Sequence, residues 1–163
     1  MSAPRWVADD GGRVAAGFTG ATGDCVTRAI AIATRLPYRE VYDELHAQAL
    51  GDARYKARLQ LRYGHVARRH ASPRYGVPRR VYDAYLKRLG WVWTPTMSMG
   101  HGCTVHLRAD ELPPGRLIVR VSKHLCAVID GVIHDTHDPS REGTRCVYGY
   151  WSCPSAPSSP APD

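Results

Sequence analysis

No apolar run in this 163-residue chain approaches the ~18 residues a membrane-spanning helix needs. Residues 1–10 also lack the apolar stretch of a secretory leader. Both absences point to a cytoplasmic protein that does not engage a membrane. The five cysteines are too few and odd in number for a full disulfide set, and in a reducing compartment they are expected to remain thiols. The Cys-x-x-Cys and His-x-x-x-His spacings of common zinc sites are missing as well. His101, Cys103 and His106 offer three possible ligands within six residues. A closed zinc site takes four, and a catalytic one takes three plus water in a suitable geometry. The expectation is a loop at the end of a sheet, with no metal and no cofactor.

Acidic residues are scarce in one segment in particular. Between Asp52 and Arg80 there are nine basic residues and a single acid, giving that block +8 of a net charge of +7 for the chain. The remainder is close to neutral. Such a block is usually a solvated helix face or loop, although it can attract nucleic acid or an acidic partner. Its members include Arg68, Arg69, Arg79 and Arg80.

What the chain does have is a globular composition, with 44% hydrophobic and 23% charged residues, enough for one core. Residues 1–16 read as a flexible arm. Residues 152–163, SCPSAPSSPAPD, read as a disordered Pro/Ser/Ala tail. The domain proper is expected over 17–151, with 52–80 as a basic insertion. Val26, Ala29, Ile30, Ala33 and Leu36 fall at helical spacing and predict a helix over 24–36. Pro37 breaks it and opens a second helix that ends at Gly51. A third is predicted over 78–89, capped by Gly90. Beyond Gly90 the pattern turns to short strands: 91–94, 104–107, 117–121, 125–129, 132–135 and 146–150. Helices followed by strands predict an α+β domain with a mostly antiparallel sheet. Asp130-Gly131 between two apolar runs predicts a two-residue hairpin turn.

Cys25 follows a glycine-rich stretch and opens the first helix, with Asp24 as the expected N-cap. The positive end of a helix favours thiolate, while the Asp24 charge opposes it. A nucleophilic cysteine also needs a base. With the hairpin turn at Asp130-Gly131, counting outward puts His124, Cys126, Val128, Ile133, Asp135 and His137 on one face. His124 and Asp135 become diagonal neighbours, close enough for imidazole to meet carboxylate. Asp138 falls on the other face, and His137 is a second candidate to orient His124. Cys126 reads as a buried, inert thiol, as do Cys103, Cys146 and Cys153. Trp91, Trp93, Tyr148, Tyr150 and Trp151 read as sheet residues, with a substrate groove as the less favoured alternative. Arg141 and Arg145 are candidates to line the site.

A cysteine at a helix start, a histidine entering a strand about 100 residues on, and an acid on the next strand resemble the papain-like cysteine peptidase fold. The stretches GDCVTRAIAIAT, GWVWTP, VHLRADELP and HLCAVIDGVIHDTHDPSR also resemble a group of small uncharacterised proteins of actinobacterial phages and related bacteria. The papain-like resemblance implies a thiol-dependent hydrolase, a peptidase or isopeptidase, acting on a protein or peptide amide. Cys25 would be the nucleophile, His124 the base and Asp135 the orienting acid. The same triad would also run a deamidase or transglutaminase-like reaction. The family's oxyanion glutamine, six residues before the nucleophile, is replaced here by Thr19, a shorter donor. The alternative to an enzyme is a basic nucleic-acid-binding protein in which Cys25 is structural.

Overall fold

The computed structural model describes residues 4–20, 23–67 and 72–154. Strand β1 (Arg5–Ala8) comes first. Helices α1 (Cys25–Thr34), α2 (Tyr38–Gly51) and α3 (Ala53–Tyr63) follow, then two short 3₁₀ turns and helix α4 (Arg79–Arg88). Strands β2 (Val92–Pro95), β3 (Arg116–Val121), β4 (His124–Ile129), β5 (Val132–Asp135) and β6 (Val147–Ser152) complete the chain. The six strands form one sheet in the order β1-β5-β4-β3-β6-β2, antiparallel at every neighbour except β1–β5. The α+β class with a mostly antiparallel sheet therefore stands.

The local chemistry explains most of these boundaries. Arg35 adopts a left-handed φ of 62° at the end of α1, and Pro37, which cannot continue that helix, forms the N-cap of α2. At the end of α4, the Trp91 N–H donates to Leu86 O and the Gly90 N–H to Lys87 O, a Schellman closure that needs the positive φ of Gly90. Asp130 and Gly131 both have positive φ, as a type I′ turn requires, and Ile129 pairs with Val132 as the turn dictates.

The sheet is buried on both faces, so β3 (RLIVRV) and β4 (HLCAVI) read as nearly continuous apolar runs. On one face Ile118, Leu125, Ala127 and Trp151 join a core with Val26, Ala29, Ile30 and Ala33 of α1 and the inner faces of α2 and α4. On the other, Leu117, Val119, Val121, Cys126, Val128, Ile133 and Val147 pack with Leu107 and Leu112. Removing a fully buried residue such as Ile30 or Ile118 to alanine costs ~2–5 kcal/mol in cores of this kind.

Three expectations are corrected, and the basic block takes the helix-face form of the two expected for it. The loose arm expected over 1–16 is instead part of the sheet from Arg5, as β1 pairs with β5 in parallel from Arg5↔Val132 to Ala8↔Asp135. Its side chains are exposed, so no apolar pattern announced it; the backbone ladder and the Trp6 Nε1–H bond to Asp135 O, 3.1 Å, hold it. The basic block contains a regular helix: Asp52 caps α3 by accepting from Tyr55 N, and Tyr55 and Leu59 are buried beneath an exposed cationic face. Arg68 and Arg69, and residues 155–163 of the expected tail, lie outside the described residues. The strand expected over 104–107 is reduced to a single bridge, His106↔Cys146. Cys103 and Cys146, expected as thiols, form a disulfide with Cα atoms 5.8 Å apart. Backbone bonds from Leu107 N to Arg145 O and from Val147 N to Val105 O, both 2.8 Å, align the two segments that carry them.

Candidate active site

Cys25 is the first residue of α1, so its N–H belongs to the first turn, which has no partner within the helix. Lys123, with a φ of 57°, turns the chain from β3 into β4, and His124 is the first residue of β4. Asp135 closes β5. The three side chains meet. His124 Nε2 and Asp135 Oδ2 are 2.5 Å apart, and the Cys25 thiol and His124 interact electrostatically, each shifting the other's titration. The diagonal pairing counted from the hairpin turn is therefore the one observed. Cys126, Val128 and Ile133 on the same alternation pack away from α1, whereas His124 and Asp135, at strand ends, engage residues of α1.

Electrostatics favour charge separation within the pair. Burial pushes the Cys25 thiol up, but hydrogen bonds from His124 and from the Leu125 backbone, with the charges of His124 and Arg28, hold it below the ordinary thiol range. Burial pushes His124 down, but its bonds to Asp135 and Cys25 raise it to about 9. Burial likewise works against ionised Asp135, and its bond to His124 prevails and keeps its carboxyl low. Cys126, fully buried beside these charges, has its thiol pushed far up. It is therefore the inert thiol the sequence suggests.

Asp24 occupies the N-cap position of α1, its carbonyl accepting from Arg28 N at 3.1 Å, but its side chain makes no bond to the helix N-terminus. Its carboxylate is wholly buried. It forms ion pairs with Arg13 at 3.0 Å and with Arg28, and accepts from the Tyr38 hydroxyl at 2.6 Å. With three donors aimed at it, its negative charge is neutralised locally rather than set against the Cys25 thiolate. Arg28 continues to Asp135 Oδ1 at 3.4 Å. A buried chain thus runs Arg13–Asp24–Arg28–Asp135–His124–Cys25. Sequence reasoning missed Arg13 and Arg28. The signal was an arginine four residues after Asp24 on an otherwise apolar helix face.

Of the other candidates for orienting the base, His137 is exposed with its ring 5.2 Å from that of His124, and Asp138 accepts from Ser140 N in a turn. Ligand atoms of His124, Asp135 and His137 lie within 4.8 Å of one another, near enough to share a metal ion. His101, Cys103 and His106 do not form such a group, because Cys103 is in the disulfide and His106 Nδ1 sits 3.1 Å from Glu111. Thr19 is exposed and lies outside the lining of the cleft. Arg145 bonds Pro139 O and Ser122 O, and neither it nor Arg141 lines the cleft.

Cys25 and His124 open onto a cleft of about 570 Å³. One wall is the segment 75–77, which packs close to the backbone before Cys25; a Cβ on Gly23 would come within 2.3 Å of Arg74 O. A second groove adjoins it. Trp93, Met97, Met99 and Tyr148 line that groove, and Arg79 and Arg120 line both. Two of the five sheet aromatics thus face a groove, while Trp91 and Trp151 are core.

Comparison with protein-family models, curated proteins and solved structures finds no match to this chain. Among the described residues no helix is long and apolar enough to cross a membrane. The functional reading therefore rests on the site itself.

Proposed function

We propose that this protein is a papain-like cysteine hydrolase acting on a protein or peptide amide. One observation carries the reading: a helix-opening cysteine lines the same cleft as a histidine that acts on its thiol and that a buried carboxylate holds at 2.5 Å. Thiolate Sγ attacks the amide carbon, the C–S bond forms and the carbonyl electrons move to oxygen. The Cys25 N–H, at the helix start, is a donor for that oxyanion. Collapse breaks the C–N bond, and the imidazolium of His124 gives its proton to the leaving amine. With Nε2 held by Asp135, Nδ1 is the nitrogen that exchanges the proton. His124 then takes a proton from water, hydroxide attacks the thioester, and the acid leaves as Sγ regains its thiolate. An amine in place of that water would give amide exchange on the same residues.

A second reading, nucleic-acid binding, draws on the exposed Arg54, Lys56, Arg58 and Arg62 of α3. It gives no account of the buried charge chain beneath Cys25.

The test is alkylation of native protein with limiting iodoacetamide between pH 5 and 9, mapping each labelled cysteine by mass spectrometry. Cys25 is expected to label faster than Cys126 and Cys153, to stay reactive below pH 7, and to slow in His124→Ala. A Cys25 that reacts like an ordinary thiol, indifferent to His124, rules the hydrolase out.

A further inference from the structure

The cleft that holds Cys25 is one-signed. Its lining includes Arg28, Arg79, Arg120 and Lys123, and no Asp or Glu. The adjoining groove also has none. Arg28 is satisfied internally by Asp24 and Asp135, and Arg79 pairs with Asp83 at 3.2 Å while stacking on Trp93. Arg120 and Lys123 have no carboxylate within ion-pair distance among the described residues. The contact found for Arg120 is with the Tyr148 ring, 5.8 Å away. Asp83, on α4, acts electrostatically on Arg79 and Arg120 but lines neither the cleft nor the groove, and one carboxylate against these cations leaves the site with excess positive charge. A half-buried arginine lining the nucleophile's cleft, over an aromatic ring and without a carboxylate at ion-pair distance, is a receptor for an anion.

We propose that the substrate is a peptide bearing a carboxylate side chain next to the scissile amide, followed by an apolar residue. Arg120 and Lys123 bind the carboxylate in the Cys25 cleft. The apolar residue lies in the groove of Trp93, Met97 and Tyr148, which Arg79 and Arg120 join to the cleft. This rests on the hydrolase reading and adds its substrate class. A peptide is preferred to nucleic acid for two reasons. Two uncompensated cations suit a single carboxylate, whereas nucleic acids are held through many phosphates. The adjoining groove is lined by Met97, Met99, Trp93 and Tyr148, a fit for an aliphatic side chain.

The experiment compares peptidyl acyloxymethyl ketones that differ only in having Glu, Gln or Lys beside the electrophilic carbonyl. Cys25 labelling is read by mass spectrometry, with iodoacetamide as a size-independent reference. The Glu probe is expected to label Cys25 about tenfold or more faster than the Gln probe, and the Lys probe slowest. That Glu/Gln ratio should fall toward one in Arg120→Gln and be largely kept in Arg120→Lys. Because it is taken within each variant, partial misfolding cancels. Equal rates for Glu and Gln in the wild type overturn the substrate class and leave the hydrolase standing. A Cys25 unreactive toward every probe and slow with iodoacetamide overturns both. Protection of Cys25 by a single-stranded oligonucleotide, lost steeply with salt, together with no Glu preference, overturns the peptide in favour of a phosphate ligand.

Discussion

The Cys25–His124 pair makes a prediction about stability that needs no substrate. In the unfolded chain near pH 7.5, a cysteine of ordinary pKa holds its proton and a histidine of ordinary pKa, about 6.5, has lost its own. In the folded protein the thiol is held below its ordinary range and His124 is raised to about 9; the proposed thiolate–imidazolium pair puts the proton on the imidazole instead. Folding moves a proton within the pair without binding or releasing one, and the pair contributes no pH dependence between about pH 6.5 and 8.5. Cys25→Ser removes the thiol and leaves His124 bonded to Asp135. A raised histidine contributes stability that is fully present below its unfolded pKa and is lost as pH rises through its folded one. In the variant Asp135 still raises His124, though by less than in wild type because the Cys25 interactions are gone; over the narrower window folding takes up a proton, and stability falls by up to ~1.4 kcal/mol per pH unit. The His124 side chain is only 12% exposed, so solvent screening removes little of this. Between pH 6.5 and 8.5 the variant should therefore lose ~1–2 kcal/mol relative to wild type, or roughly 0.5–1 M in urea midpoint. The assay is urea unfolding of both proteins at several pH values, followed by tryptophan fluorescence without reductant. Parallel stability–pH curves for the two would refute the proton transfer, and with it the thiolate–imidazolium pair.

Three further outcomes follow from the structure. Arg28→Met leaves the buried Asp24 and Asp135 facing one fewer cation and should destabilise by ~3–5 kcal/mol, read as a lower urea midpoint, since breaking a buried ion pair strands its partner's charge. Gly23→Ala places a methyl 2.3 Å from Arg74 O, a backbone atom that must move; it should cost ~1–3 kcal/mol and slow Cys25 alkylation by displacing the 75–77 wall. An unchanged alkylation rate would detach that wall from the nucleophile. Replacing Cys103 and Cys146 together with serine frees a loop of 43 residues and should lower stability by as much as ~4 kcal/mol on chain-entropy grounds, with wild type under reductant losing the same amount.

The sequence made the frame legible wherever one local signal was strong. The apolar spacing from Val26 to Ala33 predicted α1, Asp130-Gly131 fixed the hairpin register, and that register alone chose Asp135 over Asp138 as the neighbour of His124. Three kinds of element were not legible. β1 is held by backbone pairing at a sheet edge with its side chains in solvent, so it carries no apolar alternation. The helix in the basic block buries only Tyr55 and Leu59 among eleven residues, and its pattern was lost among the charges. The Cys103–Cys146 bond depends on two loops meeting far apart in sequence, which spacing does not reveal. Asp24 shows a different failure. Its residue type suited an N-cap, but tertiary partners, Arg13 across a turn and Tyr38 on the next helix, outcompeted the local bond.

Those partners also bear on why the site is built as it is. Burial works against every charged member of the pair, raising Cys25 and lowering His124, so a dry pocket alone would leave both neutral. Charge separation depends on Asp135, and Asp135 stays ionised in a buried position because His124, the Thr136 N–H and Arg28 face it. Arg28, in turn, can be buried because Asp24 answers it, and Asp24 because Arg13 and Tyr38 do. A fold needing only stability at this position would do as well or better with apolar side chains. The chain has a different consequence. Each carboxylate is fixed by donors on two or more elements, and the last of them holds the imidazole against the thiol. The segment before α1 supplies Arg13, β1 donates to the Asp135 carbonyl through Trp6, and α1 supplies Arg28 and Cys25. The N-terminal segment thus supports Asp135, and residues 75–77 wall the cleft around the nucleophile. Helix α1 and the β4–β5 hairpin set the distance across it.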